Sequence, residues 1–227
     1  MNKKRILIVA AHPDDEILGC GGTAARLIKE GHEVFTLILG EGITSRDHSR
    51  QREKREAEIA KLKKQIHDAN NILGIKEVVV YDFPDNRFDS VPMLDIVKKI
   101  EEVKRNVKPD IMFTHYGKDL NIDHQVTYQA AMAATRPMAD ETVKEIYSFE
   151  VLSSTEWQFP LSFSPDFFYD ITDTIDMKVA AMAKYETELR EFSHPRSLKG
   201  IRLNAETWGM KIGLNSAEAF KTIRVVR

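Results

Sequence analysis

The sequence predicts an α/β protein with a Rossmann-like layered fold, in which helices flank a mostly parallel sheet. Two observations support this prediction. Short, continuously apolar runs, typical of strands buried on both faces, occur at residues 6–11, 34–39, 78–81 and 111–114. Segments of helical periodicity separate these runs, so strand and helix alternate as right-handed βαβ units require.

The helices and the later elements are predicted from the same patterns. The segment after the second run has apolar residues three and four positions apart, at Ile59, Leu62, Ile66, Ala69 and Leu73. The segment after the third run repeats this spacing with Ile96, Ile100, Val103 and Val107. Beyond Pro137 the pattern is less regular, and we expect a strand over 146–152 and a helix over 173–191.

Length and composition indicate one globular domain. The 227 residues are 42% hydrophobic and 30% charged, and they contain no internal repeat or Gly/Ser-rich linker, so we predict a single domain over residues 1–227. The formal net charge of −2 excludes general attraction to nucleic acid or an anionic membrane. The first apolar run is too short for a signal peptide or a membrane span. The short first run and the single cysteine together favour a cytoplasmic location.

Two loops rich in acids and histidine follow the first and fourth apolar runs. Residues 12–16 contain one imidazole and three adjacent carboxylates, and residues 119–124 contain a second imidazole. Ligands in such folds bind at the carboxyl ends of the strands, so both loops are expected at one edge of the sheet. Adjacent acids beside a buried strand are costly unless a cation, hydrogen bonds or a helix N-terminus compensates them.

Two histidines and one carboxylate are the ligand set expected of catalytic zinc, because they leave a fourth position open. The candidates are His12, Asp15 and His124. The alternative is that the acids cap helix starts and the histidines are ordinary loop residues. One capping residue is enough for each helix, whereas these loops contain several acids and two histidines. The excess favours a metal site over helix capping.

The motif Ala11–Glu16, followed by Gly19–Thr23, resembles the LmbE-like, or PIG-L, de-N-acetylases. The later Asp123-His124 and the terminal Ala217–Phe220 also match, so the resemblance spans almost the whole chain. Within the family, the chain is most similar to bacterial members of sugar and polysaccharide pathways. The resemblance implies a zinc-dependent hydrolase that removes an N-acetyl group from a small amino-sugar substrate or its conjugate. Members of the family are often oligomeric, so it also leaves a homo-oligomer open.

Residue by residue, the resemblance implies that His12, Asp15 and His124 bind one zinc ion per chain and that Asp14 is the general base. Zinc can bring the pKa of bound water to about 7 and polarise the amide carbonyl, while Asp14 accepts the water proton. Asn121 stands where the commoner pattern, His-x-Asp-His, has its first histidine. Its amide can donate a hydrogen bond to substrate but cannot act as an acid.

Four further assignments complete the predicted site. His194 lies where relatives also have a functional histidine, and we assign it oxyanion stabilisation or amine protonation, with a surface-turn histidine as the alternative. Asp123 is expected to hold His124 or another imidazole by a hydrogen bond. Arg46 follows the second strand and could reach a phosphate or sugar hydroxyl, and Asp85 follows the third and could accept hydrogen bonds from hydroxyls. For both, the alternative is a solvated loop charge.

Three other functions stay open. A nucleotide-binding module could cradle phosphate with Gly19, Gly21 and Gly22, although the spacing is not Gly-x-Gly-x-x-Gly and the nearby acids would repel phosphate. A non-catalytic metal-binding protein is conceivable because of Asn121. An amidase acting on a non-sugar N-acyl compound would use identical chemistry.

Overall fold

The structure, a computed structural model, describes residues 3–44 and 52–227. Its strands are β1 (Arg5–Ala10), β2 (Glu33–Gly40), β3 (Glu77–Phe83), β4 (Ile111–His115), β5 (Glu145–Phe149), β6 (Phe167–Asp170) and β7 (Ala217–Val225). Its α-helices are α1 (Asp15–Lys29), α2 (Glu56–Leu73), α3 (Met93–Val107), α4 (Ile122–Ala134), α5 (Ile175–Met182) and α6 (Leu198–Ile212).

The seven strands form one sheet in the order β3-β2-β1-β4-β5-β7-β6. Strands β1 to β5 pair in parallel, whereas β7 is antiparallel to both β5 and β6. The predicted α/β fold with a mostly parallel sheet is therefore confirmed. The strand order reverses between β1 and β4, and such a switch point leaves a crevice between the loops that follow the two strands.

Two apolar layers cover the two faces of the sheet. Alternate residues of β1 point to opposite sides, so Ile6 and Ile8 join one layer with residues of α1, α2 and α5, while Leu7 and Val9 join the other with residues of α3 and α4. This is why the central strands are continuously apolar. Within the two described ranges, no helix has the length and apolarity that crossing a bilayer requires.

Some element boundaries differ from those predicted. Strand β3 contains the predicted run at 78–81 but is largely half-buried, because it forms an edge of the sheet. The helix predicted over 173–191 was wrong in length, since α5 ends at Met182. Beyond it the chain turns so that the buried Tyr185 hydroxyl donates to Glu16 Oε1 at 2.5 Å, and this tertiary contact overrides the helical period.

Helix α1 is interrupted in its middle. Cys20 has φ −149° and ψ 24°, which lie outside the helical range, so the helix is kinked at this residue. The carboxylate of Glu218, in β7, accepts hydrogen bonds from the N–H groups of Gly22 at 3.0 Å and Thr23 at 2.7 Å. Lys178 in α5 donates to the same carboxylate at 2.6 Å. The terminal Ala-Glu-Ala-Phe segment therefore supplies the cap for the second half of α1.

Candidate metal centre

A cavity of about 250 Å³ opens at the carboxyl ends of the five parallel strands. The segment that follows each of these strands contributes to the lining, and the segment between α5 and α6 and Leu62 of α2 contribute the remainder. The lining residues are His12, Pro13, Asp14, Asp15, Gly42, Ile43, Leu62, Asp85, Asn86, Asn121, His124, Val151, Leu152, Ser153, Ser154, Glu188, Arg190 and Arg196.

The three predicted metal ligands lie together in this cavity. One potential ligand atom from each of His12, Asp15 and His124 lies within 4.8 Å of the others. Asp15 Oδ2 is 3.4 Å from His12 Nδ1 and 3.3 Å from His124 Nε2. Two imidazole nitrogens and one carboxylate that converge beside an open cavity fit a catalytic zinc ion.

An acidic side chain lies against the far nitrogen of each histidine. His12 Nε2 is 2.9 Å from Asp123 Oδ2, and His124 Nδ1 is 3.1 Å from Asp119 Oδ1. Such pairs orient the rings and leave the opposite nitrogens, those nearest Asp15, turned toward the metal position. Asp123, which was predicted to hold His124 or another imidazole, therefore contacts His12, and Asp119 contacts His124.

Both supporting acids are themselves anchored. Asp119 accepts hydrogen bonds from the hydroxyls of Ser154 and Thr155, and Asp123 Oδ1 accepts one from the Phe88 N–H at 2.9 Å. Asp119 and Asp123 are almost completely buried. The orientation of the two histidines is thus fixed by buried groups rather than by solvent-exposed contacts.

The charges at this centre compensate one another. Burial lowers the pKa of His12, but Asp123 and Asp15 outweigh burial and raise it well above its usual value. Burial is likewise outweighed at His124, whose pKa rises to about 9 next to Asp15 and Asp119. Burial would raise the pKa of Asp15, but His124 and His115 hold it well below its usual value. Metal binding must therefore displace protons from the imidazoles, and it is favoured as pH rises.

Asp14 lies beside Asp15 at the cavity wall and is buried. Its Oδ2 is 3.2 Å from Arg196 Nη1. Burial and the neighbouring Asp15 raise the pKa of Asp14 well above its usual value, while Arg196 opposes this rise. A carboxylate whose pKa lies above its usual range is suited to accept and return a proton near neutral pH.

Strained backbone is concentrated around this cavity. Five non-glycine residues in the described ranges have positive φ, and four of them line the cavity: Asp14, Ile43, Asn86 and Ser153. Ile43, at φ 74°, is β-branched and therefore especially disfavoured in this region. Strained residues persist where the surrounding fold over-determines them, and they cluster at functional sites.

Asn121 and Asp85 also line the cavity. The Asn121 side chain caps α4, since its Oδ1 accepts from the Asp123 N–H at 2.8 Å, and its Nδ2 donates to Asn86 Oδ1 at 2.8 Å. Asp85 could join His12 and Asp123 in a second metal-binding group. That group would use His12 Nε2, which Asp123 already holds, so the group containing Asp15 is the better metal site.

The structure does not bring His194 into the cavity lining. Its Nδ1 accepts a hydrogen bond from the Arg196 N–H at 3.1 Å, and its ring lies edge-on to Trp157. Its role in catalysis stays a prediction. Arg46 lies outside the described residues.

Three residues that contact the site were assigned no role from the sequence. Arg196 reaches the cavity from the same short segment as His194, and Asp119 supports His124. His115, left out of the predicted site, accepts the Ala11 N–H through Nε2 at 2.8 Å and stacks on His124 with ring centroids 4.0 Å apart. Their signal in the sequence was only proximity to the motifs.

Comparison with known proteins identifies a family. The family model described as GlcNAc-PI de-N-acetylase (PIG-L) matches residues 7–135. The "uncharacterized deacetylase YaiS" of Escherichia coli K12 is 29% identical over 191 residues, which cover 82% of this chain and 92% of YaiS. The diacetylchitobiose deacetylase of Thermococcus kodakarensis is 25% identical over 195 residues, which cover 83% of this chain and 71% of that protein.

Solved structures share the whole fold. The conserved protein TT1542 from Thermus thermophilus superposes with a TM-score of 0.77 at 25% identity and covers 99% of this chain and 97% of its own. GalB of Pseudomonas putida KT2440, a 4-carboxy-2-hydroxymuconate hydratase, has a TM-score of 0.74 at 23% identity. The match covers 99% of this chain and 98% of GalB. The likeness to GalB bears on the fold alone, so function must be argued from the site.

Proposed function

This chain belongs to the GlcNAc-PI de-N-acetylase (PIG-L) family, and from that premise we propose that it is a zinc-dependent hydrolase which removes an N-acetyl group from an amino-sugar substrate. The observation that carries the proposal is the convergence of His12, Asp15 and His124 on one cavity with Asp14 in its wall. Among the relatives described above, YaiS and the Thermococcus protein have deacetylase names.

In the proposed mechanism, His12, Asp15 and His124 would hold one zinc ion per chain. The bound ion would supply Lewis acidity, which lowers the pKa of water and polarises a carbonyl oxygen. Asp123 and Asp119 keep the two imidazoles in the orientation that ligation requires.

Asp14 performs the proton transfers. Its carboxylate accepts a proton from the attacking water as the C–O bond forms at the acetyl carbon. It then returns that proton to the amine nitrogen as the C–N bond breaks, which releases acetate and a free amine. Asn121 is unsuited to the second transfer, because an amide is not an acid at neutral pH and this one is already bonded at Oδ1 and Nδ2.

An amino-sugar substrate suits the composition of the cavity wall. Asp85, Asn86, Ser153 and Glu188 offer acceptors and donors for hydroxyl groups. The family description names GlcNAc, and the Thermococcus relative is named for diacetylchitobiose. We therefore propose an N-acetylglucosamine unit as the group that enters the cavity.

The test measures acetate and free amine released from a panel of substrates, with zinc quantified in the same preparation. The panel contains free N-acetylglucosamine, diacetylchitobiose, nucleotide-linked and lipid-linked N-acetylglucosamine, and a non-sugar N-acetyl amide. We expect equimolar acetate and amine from at least one sugar and about one zinc per chain. Release from the non-sugar amide alone would favour the alternative amidase.

Single substitutions test the roles proposed for the ligands and the base. His12→Ala and His124→Ala should each lose most of the zinc, because each deletes one of three protein ligands. Asp14→Asn should keep zinc but lower turnover about 100- to 10,000-fold, because an amide cannot accept the water proton. His67→Ala, which removes an exposed histidine of α2, is the control and should change neither value. Full zinc retention in both ligand variants, or near-normal turnover of Asp14→Asn, would contradict the assignment.

A further inference from the structure

Arg196 is a cationic side chain in the wall of the proposed active site. It lies between α5 and α6, and its Nη1 is 3.2 Å from Asp14 Oδ2 and 3.9 Å from Glu188 Oε2. The side chain is 26% exposed, while its Nε is buried and has no hydrogen-bond partner among the described residues. Arg196 lines the cavity, and most of its side chain is shielded from solvent.

The backbone around Arg196 is held in place. The Arg196 N–H donates to His194 Nδ1 at 3.1 Å, and its carbonyl oxygen accepts from the Arg190 N–H at 3.4 Å. Helix α6 starts directly afterwards, where Ser197 Oγ accepts the Gly200 N–H at 2.9 Å. A side chain that leaves so constrained a turn can be aimed with little loss of conformational freedom on contact.

Asp14, in contrast, depends on Arg196 for its orientation. Its backbone is strained at φ 102°, and its N–H donates to Glu16 Oε2 at 3.1 Å. Within residues 3–44 and 52–227, the hydrogen bond received by the Asp14 carboxylate comes from Arg196. With Oδ2 held by this charge-assisted bond, Oδ1 is left for the reacting groups.

We propose that Arg196 is a positioning residue, which fixes the Asp14 carboxylate for its two proton transfers. The inference rests on the function proposed above. Arg196 cannot act as the acid, since a guanidinium keeps its proton at any pH the fold tolerates. Its contribution is orientation: a misplacement of about 1 Å in a reacting group can cost about 100-fold in rate.

The test compares Arg196→Met, Arg196→Lys and the double variant Asp14→Asn/Arg196→Met with wild type. We expect Arg196→Met to lower kcat about 10- to 100-fold with KM changed less than about threefold, and Arg196→Lys to recover part of the loss. In the Asp14→Asn background, Arg196→Met should cause no further loss, because both changes disable the same two proton transfers. Arg202→Met, which removes an exposed arginine of α6, is the matched control.

Two measurements do not depend on turnover. Zinc affinity, measured by competition with a chelator, should not fall in Arg196→Met, because the ion pairs of Arg196 are with Asp14 and Glu188 and not with a proposed ligand. Crystal structures of the two proteins should show the Asp14 carboxylate rotated away from its wild-type position in the variant. If no panel substrate is cleaved, the proposed function fails, and this structural comparison alone decides whether Arg196 positions Asp14.

Several outcomes would overturn the inference. An unchanged kcat in Arg196→Met would do so, and so would an unmoved Asp14 carboxylate in its structure. A rise in KM alone, or full additivity with Asp14→Asn, would indicate instead that Arg196 contacts the substrate directly, for which its Nε, unpartnered among the described residues, is available.

Discussion

Neighbouring residues on a helix do not face each other, and this decides which acid supports which histidine. Asp123 and His124 are consecutive in α4, so their side chains diverge and Asp123 meets His12 from the loop after β1 instead. Asp119 precedes the helix and folds back onto His124. The sequence could predict that an acid supports an imidazole here, but the pairing depends on how the two loops approach one another in space.

The juxtaposition of the proposed ligands and the proposed base was predictable from their positions in the sequence. His12, Asp14 and Asp15 directly follow a buried strand, and His124 begins a helix after another, so strand order alone brings them together. Arg196 was not predictable in this way. It meets Asp14 across 182 positions of sequence, and the turn that aims it has no periodic pattern.

Substitutions can distinguish two roles for His194: an acceptor for a backbone N–H group, or a direct part in catalysis. We predict that His194→Ala lowers kcat about 10-fold, because Arg196 loses the acceptor for its backbone N–H. His194→Asn should keep most of the activity, since an asparagine Oδ1 can accept the same bond. Steady-state kinetics with zinc quantified in each variant provide the measurement.

The alternative assignment makes a different prediction. If His194 protonates the amine or stabilises the oxyanion, as the family resemblance implies, alanine and asparagine variants should both lose about 10- to 1,000-fold in rate. His32→Asn serves as a control. If both His194 variants keep the wild-type rate, His194 is a turn histidine with neither role.

At the scale of elements, close packing around the kinked helix α1 explains the glycine-rich segment that follows the first motif. A Cβ on Gly19 would lie 2.3 Å from the Phe149 ring, and one on Gly22 would lie 2.8 Å from Ile171, so close packing requires both glycines. The Gly22 and Thr23 N–H groups, which a bound phosphate would need, are occupied by Glu218. These contacts argue against the nucleotide-binding alternative.

Glu218 and Lys178 form a buried ion pair that we expect to be essential for stability. Glu218→Gln should lower the free energy of unfolding by about 3 to 5 kcal/mol, because the buried Lys178 ammonium loses its counter-charge. Lys178→Met should destabilise by a similar mechanism. The double variant Lys178→Met/Glu218→Gln should be more stable than the sum of the single losses predicts, since neither charge is left unpaired.

Urea denaturation followed by circular dichroism measures these differences. The matched control is Glu186→Gln, which breaks a pair with Lys61 of nearly equal length, 2.8 Å, but with side chains 57% and 66% exposed. Its expected cost is at most about 1 kcal/mol. A loss of stability for Glu218→Gln no larger than that of the control would show that the buried pair is not essential for stability.

For the whole molecule, the sequence predicted the parallel half of the sheet better than its C-terminal part. The central strands are recognisable as apolar runs because helices cover both of their faces. Strand β7 inserts between β5 and β6 in antiparallel pairing, and its C-terminal half is only partly buried. Such a strand is specified by contacts with residues far along the chain, which no local pattern reveals.

This topology leads us to propose that residues 1–227 unfold as one cooperative unit. Strand β7 pairs with β5 over Glu145–Phe149, so the C-terminal segment completes the same sheet whose loops carry the proposed metal ligands. The two tryptophans, Trp157 and Trp208, both lie in the C-terminal third. Their fluorescence reports on that third, whereas far-ultraviolet circular dichroism reports on helices throughout the chain. In metal-free protein, the two urea transitions should coincide.

Zinc binding provides a stricter test of cooperative unfolding, because all three proposed ligands lie in the first 124 residues. A ligand that binds the native state alone stabilises it by about 2.7 kcal/mol at a hundredfold excess over its Kd. If the chain is one unit, that stabilisation must appear equally in tryptophan fluorescence and in circular dichroism, even though neither tryptophan lines the cavity. A zinc-induced shift seen by dichroism but absent from fluorescence would mean that the C-terminal third unfolds independently. His124→Ala, which should not hold zinc, provides the control in which neither transition moves.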